Sequence, residues 1–351
     1  MGNGSIESAD WRELVSASMV SAEQLPDLPP AAREDIRKVI RRYPMRINPY
    51  YWELIRKAGN PCWRQAVPDI RELDDNRGME DPFAEEEQSR APGVIHRYPD
   101  RVVMIVSNRC ALYCRHCMRK RKVGSDRPIR GEMIQAGLDY VAATRTIREV
   151  ILSGGDPLML PDDELDGILK KLRATRHIDI IRIHTRMPCV LPQRITSHLL
   201  EMLRRYHPLY IITQFNHPDE ITELSAGACG RLAEAGIPLG CQSVLLKGVN
   251  DEVGIMRELM RGLVRIRVKP YYLHHPDPVR GALHFRLPLA KGLEIMQALR
   301  GHVSGLCVPH YMIDLPGGGG KTPILPEYAR QEAPGRWSVR NFQGRCFPYE
   351  E

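Results

Sequence analysis

The chain has 351 residues, of which 43% are hydrophobic and 26% charged, and this length suits one large domain with extensions. No apolar run approaches the ~20 residues of a membrane-spanning helix, and the polar residues 1–10 do not resemble a signal or transit peptide, so we expect a cytoplasmic protein. The nine cysteines suit a reducing compartment, and the net charge of +7 fits either nucleic acid or anionic cofactors as ligands.

Residues 1–95 lack a repeating strand pattern and are predicted to form a mostly helical N-terminal extension. Helical periodicity predicts one helix over residues 31–42, directly after two prolines, and a second over residues 50–57. Residues 71–90 are acidic and polar, which is typical of a solvated connector. We expect the extension to pack on, or cap, the core that follows it.

From residue 96 the sequence alternates between strands and helices. Apolar segments predict six strands, at residues 102–106, 149–152, 178–183, 209–213, 239–245 and 268–273. The helices between them are predicted at residues 131–144, 163–173, 197–206, 224–235 and 253–264. This alternation predicts a parallel sheet. Residues 96–286 are therefore expected to form an α/β fold, a partial (β/α)6 barrel with its chemistry at the C-terminal strand ends.

Residues 287–351 are predicted to be a C-terminal extension, with a helix at residues 289–299 and a strand at 307–312. A run of glycines follows that strand, and residues 316–321 have the sequence PGGGGK. A P-loop is excluded because Leu315 stands where its first glycine is required. Four glycines instead offer a wall without side chains for a flat ring, and Lys321 is placed to form a Schiff base. The alternative is a flexible loop with a surface lysine.

Three cysteines follow the first barrel strand, and Cys110, Cys114 and Cys117 have C-x3-C-x2-C spacing. Thiolates of this kind hold iron–sulfur clusters, whereas a structural zinc takes four protein ligands and only His116 lies nearby as a fourth. Three ligands on a four-iron cluster leave one iron open for a small molecule. The spacing favours a cluster over zinc or chance, and the other six cysteines are predicted to be small buried side chains.

A second glycine-containing segment, SGGD at residues 153–156, follows the second strand. Taken alone it is most simply a turn, although exposed amides in such a loop bind carboxylates. Residues His184, Arg186 and Gln214 end other strands, where they either line a common pocket or are satisfied polar groups at the barrel rim.

Together these segments resemble the radical S-adenosylmethionine (SAM) superfamily and, within it, the lysine 2,3-aminomutase family. The likeness spans residues 47–343 and rests on RYPDR (97–101), CALYCRHCMRKRK (110–122), LSGGDP (152–157), FNHP (215–218), GIPLG (236–240), PYY (270–272) and PGGGGK. It implies a radical enzyme, an isomerase, that moves an amino group from Cα to Cβ of an amino acid. The implied cofactors are a [4Fe-4S] cluster, SAM and pyridoxal 5′-phosphate (PLP).

The resemblance also implies which residues hold these cofactors. The cluster ligands would be Cys110, Cys114 and Cys117. The residues implied for SAM are Ser153, Gly154, Gly155, Asp156, Gln242 and Gln214; the SGGD loop takes its amino group and Gln242 its ribose. The residues implied for PLP are Lys321, which binds it covalently, and Arg97 and Arg101, which match positions that bind its phosphate.

The substrate residues implied by the family are Arg119, for the α-carboxylate, and the pair Asp277 and Asp314, for a side-chain ammonium. A buried pair of carboxylates needs a cation, so the site should select a basic amino acid and disfavour glutamate. We expect conversion of L-lysine to β-lysine. Arginine is the alternative, because His274 and its two successors, HHP before Asp277, depart from the usual family sequence.

The sequence also differs from the family in a region that bears on subunit contacts. The family's cysteine-rich zinc segment is missing and Glu252 replaces its partner cysteine, so a zinc-linked subunit contact is not expected, although we expect a homo-oligomer. The electron donor would be a flavodoxin or ferredoxin, and no membrane or nucleic-acid partner is expected. An RNA-associated radical SAM protein is the competing class, supported by the charge and the basic run of residues 119–122, but it leaves Lys321 unexplained.

Overall fold

The computed structural model describes residues 6, 8–75, 77–125 and 128–351. Its N-terminal part is helical, as predicted, and the helices are α1 (Trp11–Ser16), α2 (Pro30–Ile40), α3 (Pro49–Ala58) and α4 (Asn60–Ala66). The side chain of Asn48 caps α3 by accepting from Tyr51 N at 3.0 Å. Its amide nitrogen donates to Ala111 O and Val190 O at 3.1 and 2.9 Å, so this cap also ties the extension to the barrel.

The centre of the molecule is one sheet of ten strands whose order in space follows their order in the chain. Its strands are β1 (Ser89–Ala91), β2 (Val94–Tyr98), β3 (Arg101–Ser107), β4 (Glu149–Gly154), β5 (Ile180–His184), β6 (Leu209–Thr213), β7 (Leu239–Val244), β8 (Lys269–His274), β9 (His310–Leu315) and β10 (Gly320–Pro323). The six strands from β3 to β8 run parallel. Because β1 and β10 are the two edges, the barrel is open, which confirms the predicted fold.

Helices connect the parallel strands, because a parallel neighbour is reached only by a crossover. They are α5 (Gly131–Ala143), α6 (Asp162–Ala174), α7 (Met187–Val190), α8 (Ser197–Arg204), α9 (Glu223–Glu234), α10 (Val253–Arg265) and α11 (Leu289–Leu299). Buried side chains from the N-terminal helices and the barrel belong to one hydrophobic cluster, so the extension packs on the core as expected. No helix within the described residues is long and apolar enough to cross a membrane.

The sheet continues beyond the six predicted parallel strands. Strand β9 pairs parallel to β8, and β10 returns antiparallel to β9. The strand predicted at residues 307–312 lies at 310–315 instead, because Ser304 caps a short turn over residues 305–307. The glycine run therefore forms a hairpin at the edge of the barrel sheet, and the boundary predicted at residue 286 stays a prediction.

The C-terminal residues form a separate three-stranded antiparallel sheet of β11 (Ala329–Ala333), β12 (Arg336–Arg340) and β13 (Cys346–Glu350).

The prediction that the non-motif cysteines are buried is confirmed for five of them, Cys62, Cys189, Cys229, Cys241 and Cys307. It is wrong for Cys346, which is exposed because β13 is an edge strand of this small sheet.

The prediction that residues 71–90 form a solvated connector is wrong for part of this segment. Glu72, Phe83 and Glu85 are buried, and residues 70–72 form a short helical turn capped by Asp69. The carboxylates of Glu72 and Glu85 are buried because they meet cations that follow the cysteines, so part of the acidic composition of this segment reflects charge pairing inside the protein.

Candidate active site

A cavity of about 970 Å³ runs along the inside of the barrel. It extends from the cysteine loop after β3 to Arg101, Glu149 and Lys269, which begin β3, β4 and β8. Every site residue predicted from the sequence lines it, including those on β2, β9 and β10. Residues separated by more than 200 positions in the chain are thus brought to one cavity.

The three motif cysteines are free thiols that face the cavity together. Burial raises the pKa of Cys110 well above its usual range and that of Cys117 to about 11, and the charge of Cys114 adds to both shifts. Buried thiols held this close favour the thiolate form only when a metal centre compensates their charge. The donor set therefore fits an iron–sulfur cluster, in which each thiolate binds its own iron. Among the described residues, no group of three or more His, Cys, Asp or Glu side chains is arranged to bind a single metal ion.

Backbone contacts lock the SGGD loop against the cysteine loop. Gly155 N donates to Ser107 O at 2.6 Å, and Asp156 N donates to Arg109 O at 2.7 Å. A Cβ atom on Gly154 would lie 2.2 Å from Ser107 O, and one on Gly155 would lie 2.4 Å from Arg109 O. The glycines are therefore required by close backbone approach. The alternative of amides exposed to a ligand does not hold for Gly155 and Asp156, whose N–H groups bond to the protein itself.

The Asp156 carboxylate joins this loop to the one after β5. It accepts from Thr185 Oγ1 at 2.8 Å, from Leu158 N at 2.9 Å and from Arg186 N at 2.8 Å. Burial raises its pKa, and these hydrogen bonds oppose the rise. Asp156 lines the cavity, but its side chain chiefly fixes the two loops.

We expect Gly154→Ala to destabilise the protein, because Gly154 has φ +130° and an added Cβ would overlap Ser107 O. The expected loss is about 1–3 kcal/mol, the usual cost of a strained backbone conformation. Gly167 in α6 provides the control, since nothing lies within 4 Å of its Cβ position. Gly167→Ala should stabilise by about 0.5–1 kcal/mol. Urea unfolding of both variants measures this, and equal midpoints would contradict the close approach.

Polar groups without protein partners face the cavity at the C-terminal ends of β5 to β7. Among the described residues, the Gln242 amide has no hydrogen-bond partner, and buried His184 Nε2 also lacks one. Burial holds the pKa of His184 well below its usual range, so this imidazole is neutral. Gln214 Nε2 lies 3.1 Å from His116 Nε2. Buried polar groups normally have partners, so the free groups of Gln242 and His184 suit a polar ligand such as the ribose of SAM.

Arg186 links the end of β5 to the cysteine loop. Its Nη1 donates to Cys114 Sγ at 2.9 Å, and its Nη2 donates to Gln65 Oε1 and Glu220 Oε1, both at 2.6 Å. Its buried Nε has no partner among the described residues. Arg186 is thus a cavity residue rather than a satisfied rim residue, and it places a cation beside one motif thiol.

Lys321 sits in the hairpin formed by β9 and β10, directly opposite Asp314. Its Nζ donates to Asp314 Oδ2 at 2.8 Å, and its backbone N donates to Tyr98 Oη at 2.9 Å. Three glycines of the run, at 317, 318 and 320, have positive φ, which other residues rarely adopt. The lysine amine is therefore held in the cavity by defined contacts, which does not match the alternative of a loose surface lysine.

The two arginines predicted for phosphate occupy different surroundings. Arg97 donates from Nη1 to Asp314 Oδ1 at 2.8 Å, and its other nitrogens donate to Gln88 Oε1 and Phe83 O. It therefore positions Asp314, which lies between Arg97 and Lys321. Arg101 stacks 3.9 Å from the centre of the Tyr98 ring. It begins β3, so the expectation that every motif lies at the C-terminal strand ends is wrong here, although its side chain lines the cavity.

Arg119 points into the cavity and is oriented by Glu85. Its Nε lies 3.1 Å from both Glu85 oxygens, its Nη2 lies 2.7 Å from Glu85 Oε1, and its Nη1 donates to Ser153 Oγ at 3.1 Å. A guanidinium has five N–H groups in a planar fork. Glu85 takes the side that includes Nε, so the end formed by Nη1 and Nη2 keeps two donors for a carboxylate. The Arg119 charge holds the pKa of Glu85 below its usual range against burial.

Asp277 follows β8 and faces the cavity without a protein partner. Within the described residues its carboxylate makes no hydrogen bond or ion pair. Burial raises its pKa to about 7, the Lys321 charge lowers it and the Asp314 charge raises it. Burial also holds the pKa of His274 well below its usual range, and the charges of Lys321 and His184 lower it further. The cavity is thus lined by a carboxylate without an ion-pair partner among the described residues and also by the neutral imidazole of His274.

The basic run of residues 119–122 is paired with the acidic segment before the barrel. Its ion pairs are Arg119 with Glu85, Lys120 with Glu72, Arg121 with Asp81 and Glu86, and Lys122 with Glu86. Lys120 is buried, so it is not part of an exposed basic surface. The RNA-binding alternative thereby loses the free basic patch on which it depended.

Sequence reasoning missed three buried carboxylates around the site, those of Glu72, Glu85 and Glu220. It also missed the Tyr98 hydroxyl that holds the backbone of Lys321. The signal for two of the carboxylates was present, because an acidic segment precedes a basic run in a chain with a large core. Glu220, which accepts from Tyr51 Oη at 2.7 Å, had no comparable signal.

Two family models match the chain. The radical SAM superfamily matches residues 104–259, and the lysine-2,3-aminomutase model matches residues 296–351. The L-lysine 2,3-aminomutase of Clostridium subterminale is 46% identical over 97% of this chain and 84% of its own length. The glutamate 2,3-aminomutase of Clostridioides difficile is 42% identical over 91% of this chain and 76% of its own length.

The region matched by the radical SAM model includes the cysteine loop, and the region matched by the lysine-2,3-aminomutase model includes Lys321. The resemblance stated from the sequence is confirmed, and with it an isomerase that uses SAM, a [4Fe-4S] cluster and PLP. The chain belongs to the lysine 2,3-aminomutase family of radical SAM enzymes.

Proposed function

We propose that this enzyme converts L-lysine to β-lysine by moving the α-amino group to the β-carbon. The observation that carries the proposal is the Asp277 carboxylate, which faces the cavity without a cation and has a pKa of about 7. A buried carboxylate of this kind is stabilised by a cationic ligand. Asp314 provides a second carboxylate nearby, so a substrate with an ammonium on its side chain suits this end of the cavity.

Lysine is favoured over arginine by the form of these contacts. A lysine ammonium is a compact charge with three donors, whereas a guanidinium prefers one planar, two-pronged partner. Asp277 and Asp314 are separate carboxylates, and Asp314 already accepts from Arg97. Arginine stays the second candidate because the HHP sequence of residues 274–276, just before Asp277, departs from the usual family sequence. Neutral His274 in this sequence lines the cavity, where it is able to contact a longer side chain. A glutamate side chain would meet repulsion from both aspartates.

The protein's own residues would hold both ends of the substrate. The free end of the Arg119 fork binds the α-carboxylate, while Glu85 fixes the plane of that fork. Asp277 binds the side-chain ammonium. When Lys321 Nζ leaves Asp314 Oδ2, that oxygen becomes available to accept from the same ammonium. Holding both ends fixes the position of Cβ and makes hydrogen transfer effectively intramolecular.

The cofactor sites follow from the same cavity. We assign the cluster to Cys110, Cys114 and Cys117, and the SAM site to the SGGD loop with Gln214 and Gln242. PLP is assigned to Lys321, with Arg101 and the remaining N–H groups of Arg97 for its phosphate. When bound, SAM at the reduced cluster supplies a hydrogen-abstracting radical, and PLP supplies the double bond across which nitrogen migrates. A one-electron donor such as flavodoxin or ferredoxin and a homo-oligomeric state remain predictions.

Anaerobic incubation with SAM, dithionite and each basic amino acid, followed by mass spectrometry for β-amino products, tests the proposal. L-Lysine is expected to be the best substrate, and a higher kcat/KM for arginine would make the lysine assignment wrong.

Cys114→Ala is expected to lose the iron absorbance and all SAM cleavage, because one of three cluster ligands is removed. A far-UV circular dichroism spectrum like that of the parent enzyme confirms that the variant is folded.

A further inference from the structure

Glu72 lies completely buried at the end of the turn formed by residues 70–72. It accepts from Arg115 Nε at 2.9 Å and from Arg115 Nη2 at 2.5 Å. Its second oxygen also lies 2.7 Å from Lys120 Nζ. One carboxylate of the N-terminal extension thus holds two cations of the cysteine loop.

Arg115 and Lys120 lie on either side of Cys117 in the sequence. Arg115 directly follows Cys114, and Lys120 is three residues beyond Cys117. Lys120 Nζ donates to Arg115 O at 2.7 Å, and Arg115 Nη1 donates to Pro44 O at 2.8 Å. The segment between the two cysteines therefore has little freedom to move while Glu72 holds both cations.

Backbone contacts attach the same loop to the extension. Arg115 N donates to Gln65 O at 2.8 Å, and Tyr113 N donates to Arg46 O at 3.0 Å. These bonds fix the chain path, but they do not compensate charge. Glu72 is the only carboxylate, among the residues that the structure describes, in an ion pair with either Arg115 or Lys120.

Removal of the Glu72 charge would leave two buried cations facing each other. Losing one partner of a buried ion pair is strongly unfavourable, because the remaining charge has neither water nor a counter-ion. The two side chains would then be expected to separate and to displace the loop that carries Cys114 and Cys117.

We propose that Glu72 is a positioning residue for the cluster: through Arg115 and Lys120 it fixes Cys114 and Cys117 in the arrangement that retains iron. This inference rests on the assignment of the motif cysteines as cluster ligands in the proposed function. Groups that orient metal ligands without binding the metal themselves typically contribute about 10- to 100-fold to metal affinity. The N-terminal extension would therefore support the cluster site through Glu72, a residue that does not itself line the cavity.

The test compares the reconstituted holoenzyme with Glu72→Gln, which keeps the side-chain shape and removes the charge. Iron release to a chelator is expected to be about 10- to 100-fold faster in the variant. The electron paramagnetic resonance spectrum of its reduced cluster should also change. Glu86→Gln is the matched control, since Glu86 pairs with Arg121 and Lys122 from the same segment but is 67% exposed. The control should behave like the parent enzyme in both measurements.

Parent-like iron release and spectrum in Glu72→Gln would overturn the proposal, even if Tm falls, because Glu72 would then stabilise the fold alone. Should that variant fail to fold, Glu72→Asp is measured instead, with faster iron release expected because the carboxylate is retracted by one methylene. The Cys114→Ala variant distinguishes an error in the assignment of the cluster ligands from an error in the role of Glu72. If Cys114→Ala retains its iron, the ligand assignment fails; if it loses iron while Glu72→Gln does not, only the role of Glu72 fails.

Discussion

Lys321→Ala is expected to abolish the covalent attachment of PLP and, with it, aminomutase activity. Lys321 Nζ lines the cavity and is held 2.8 Å from Asp314 Oδ2, so it is the amine best placed to form a Schiff base. Borohydride reduces such an imine to a stable amine. Mass spectrometry of the reduced, digested protein should therefore find PLP on the peptide that contains Lys321, and no adduct in the variant.

Two other lysines provide controls for this experiment. Lys291 lies on α11 and pairs with Glu294 at 2.8 Å, outside the cavity lining, so Lys291→Ala should retain the adduct and the activity. Lys269 lines the other end of the cavity, where its Nζ donates to Leu306 O at 2.6 Å. An adduct on Lys269 in the parent enzyme would show that PLP lies at the N-terminal end of the barrel and that the role given to the glycine hairpin is wrong.

The relation between Lys321 and Asp314 illustrates what sequence patterns predict and what they do not. Both residues were predicted as site residues, but their separation of seven positions does not reveal that they face each other. That pairing depends on the tight hairpin formed by residues 316–319 and on the register of β9 with β10. The strand before the glycines was predicted three residues too early, because an apolar pattern does not detect the Ser304-capped turn.

The barrel and the cysteine loop were predictable because each has a strong local signal. Strand and helix periods alternate along the chain, and three thiols at short spacing have few structural uses. Glu72 and Glu85 had a weaker signal, an acidic segment that precedes a basic run, and this signal does not show which carboxylates are buried. Glu72 and Glu85 lie in a segment whose composition is typical of solvent-exposed chain, and their burial depends on cations 34 or more residues later. Long-range charge pairing of this kind is specified by tertiary packing.

The pH dependence of Asp277 follows from its burial. An aspartate in an unfolded chain has a pKa of about 3.9, whereas the pKa of Asp277 in the fold is raised to about 7. Between these values the folded protein binds more protons than the unfolded chain, so the contribution of Asp277 to the free energy of unfolding falls as pH rises from about 4 to 7. A cationic substrate should reverse this penalty, since it favours the ionised carboxylate.

The kcat/KM for lysine is therefore expected to rise about tenfold per pH unit below pH 7 and to level off above it, because this parameter reports ionisation in the free enzyme. Asp277→Asn should remove this rise and lower kcat/KM at pH 8 by about 10- to 100-fold, the equivalent of one hydrogen bond to a charged group. Asp219→Asn is the control, because Asp219 is a half-exposed surface residue that should leave the profile unchanged. A parent-like pH profile in Asp277→Asn would show that this carboxylate does not bind the substrate, and the choice of a basic amino acid would then depend on Asp314 alone.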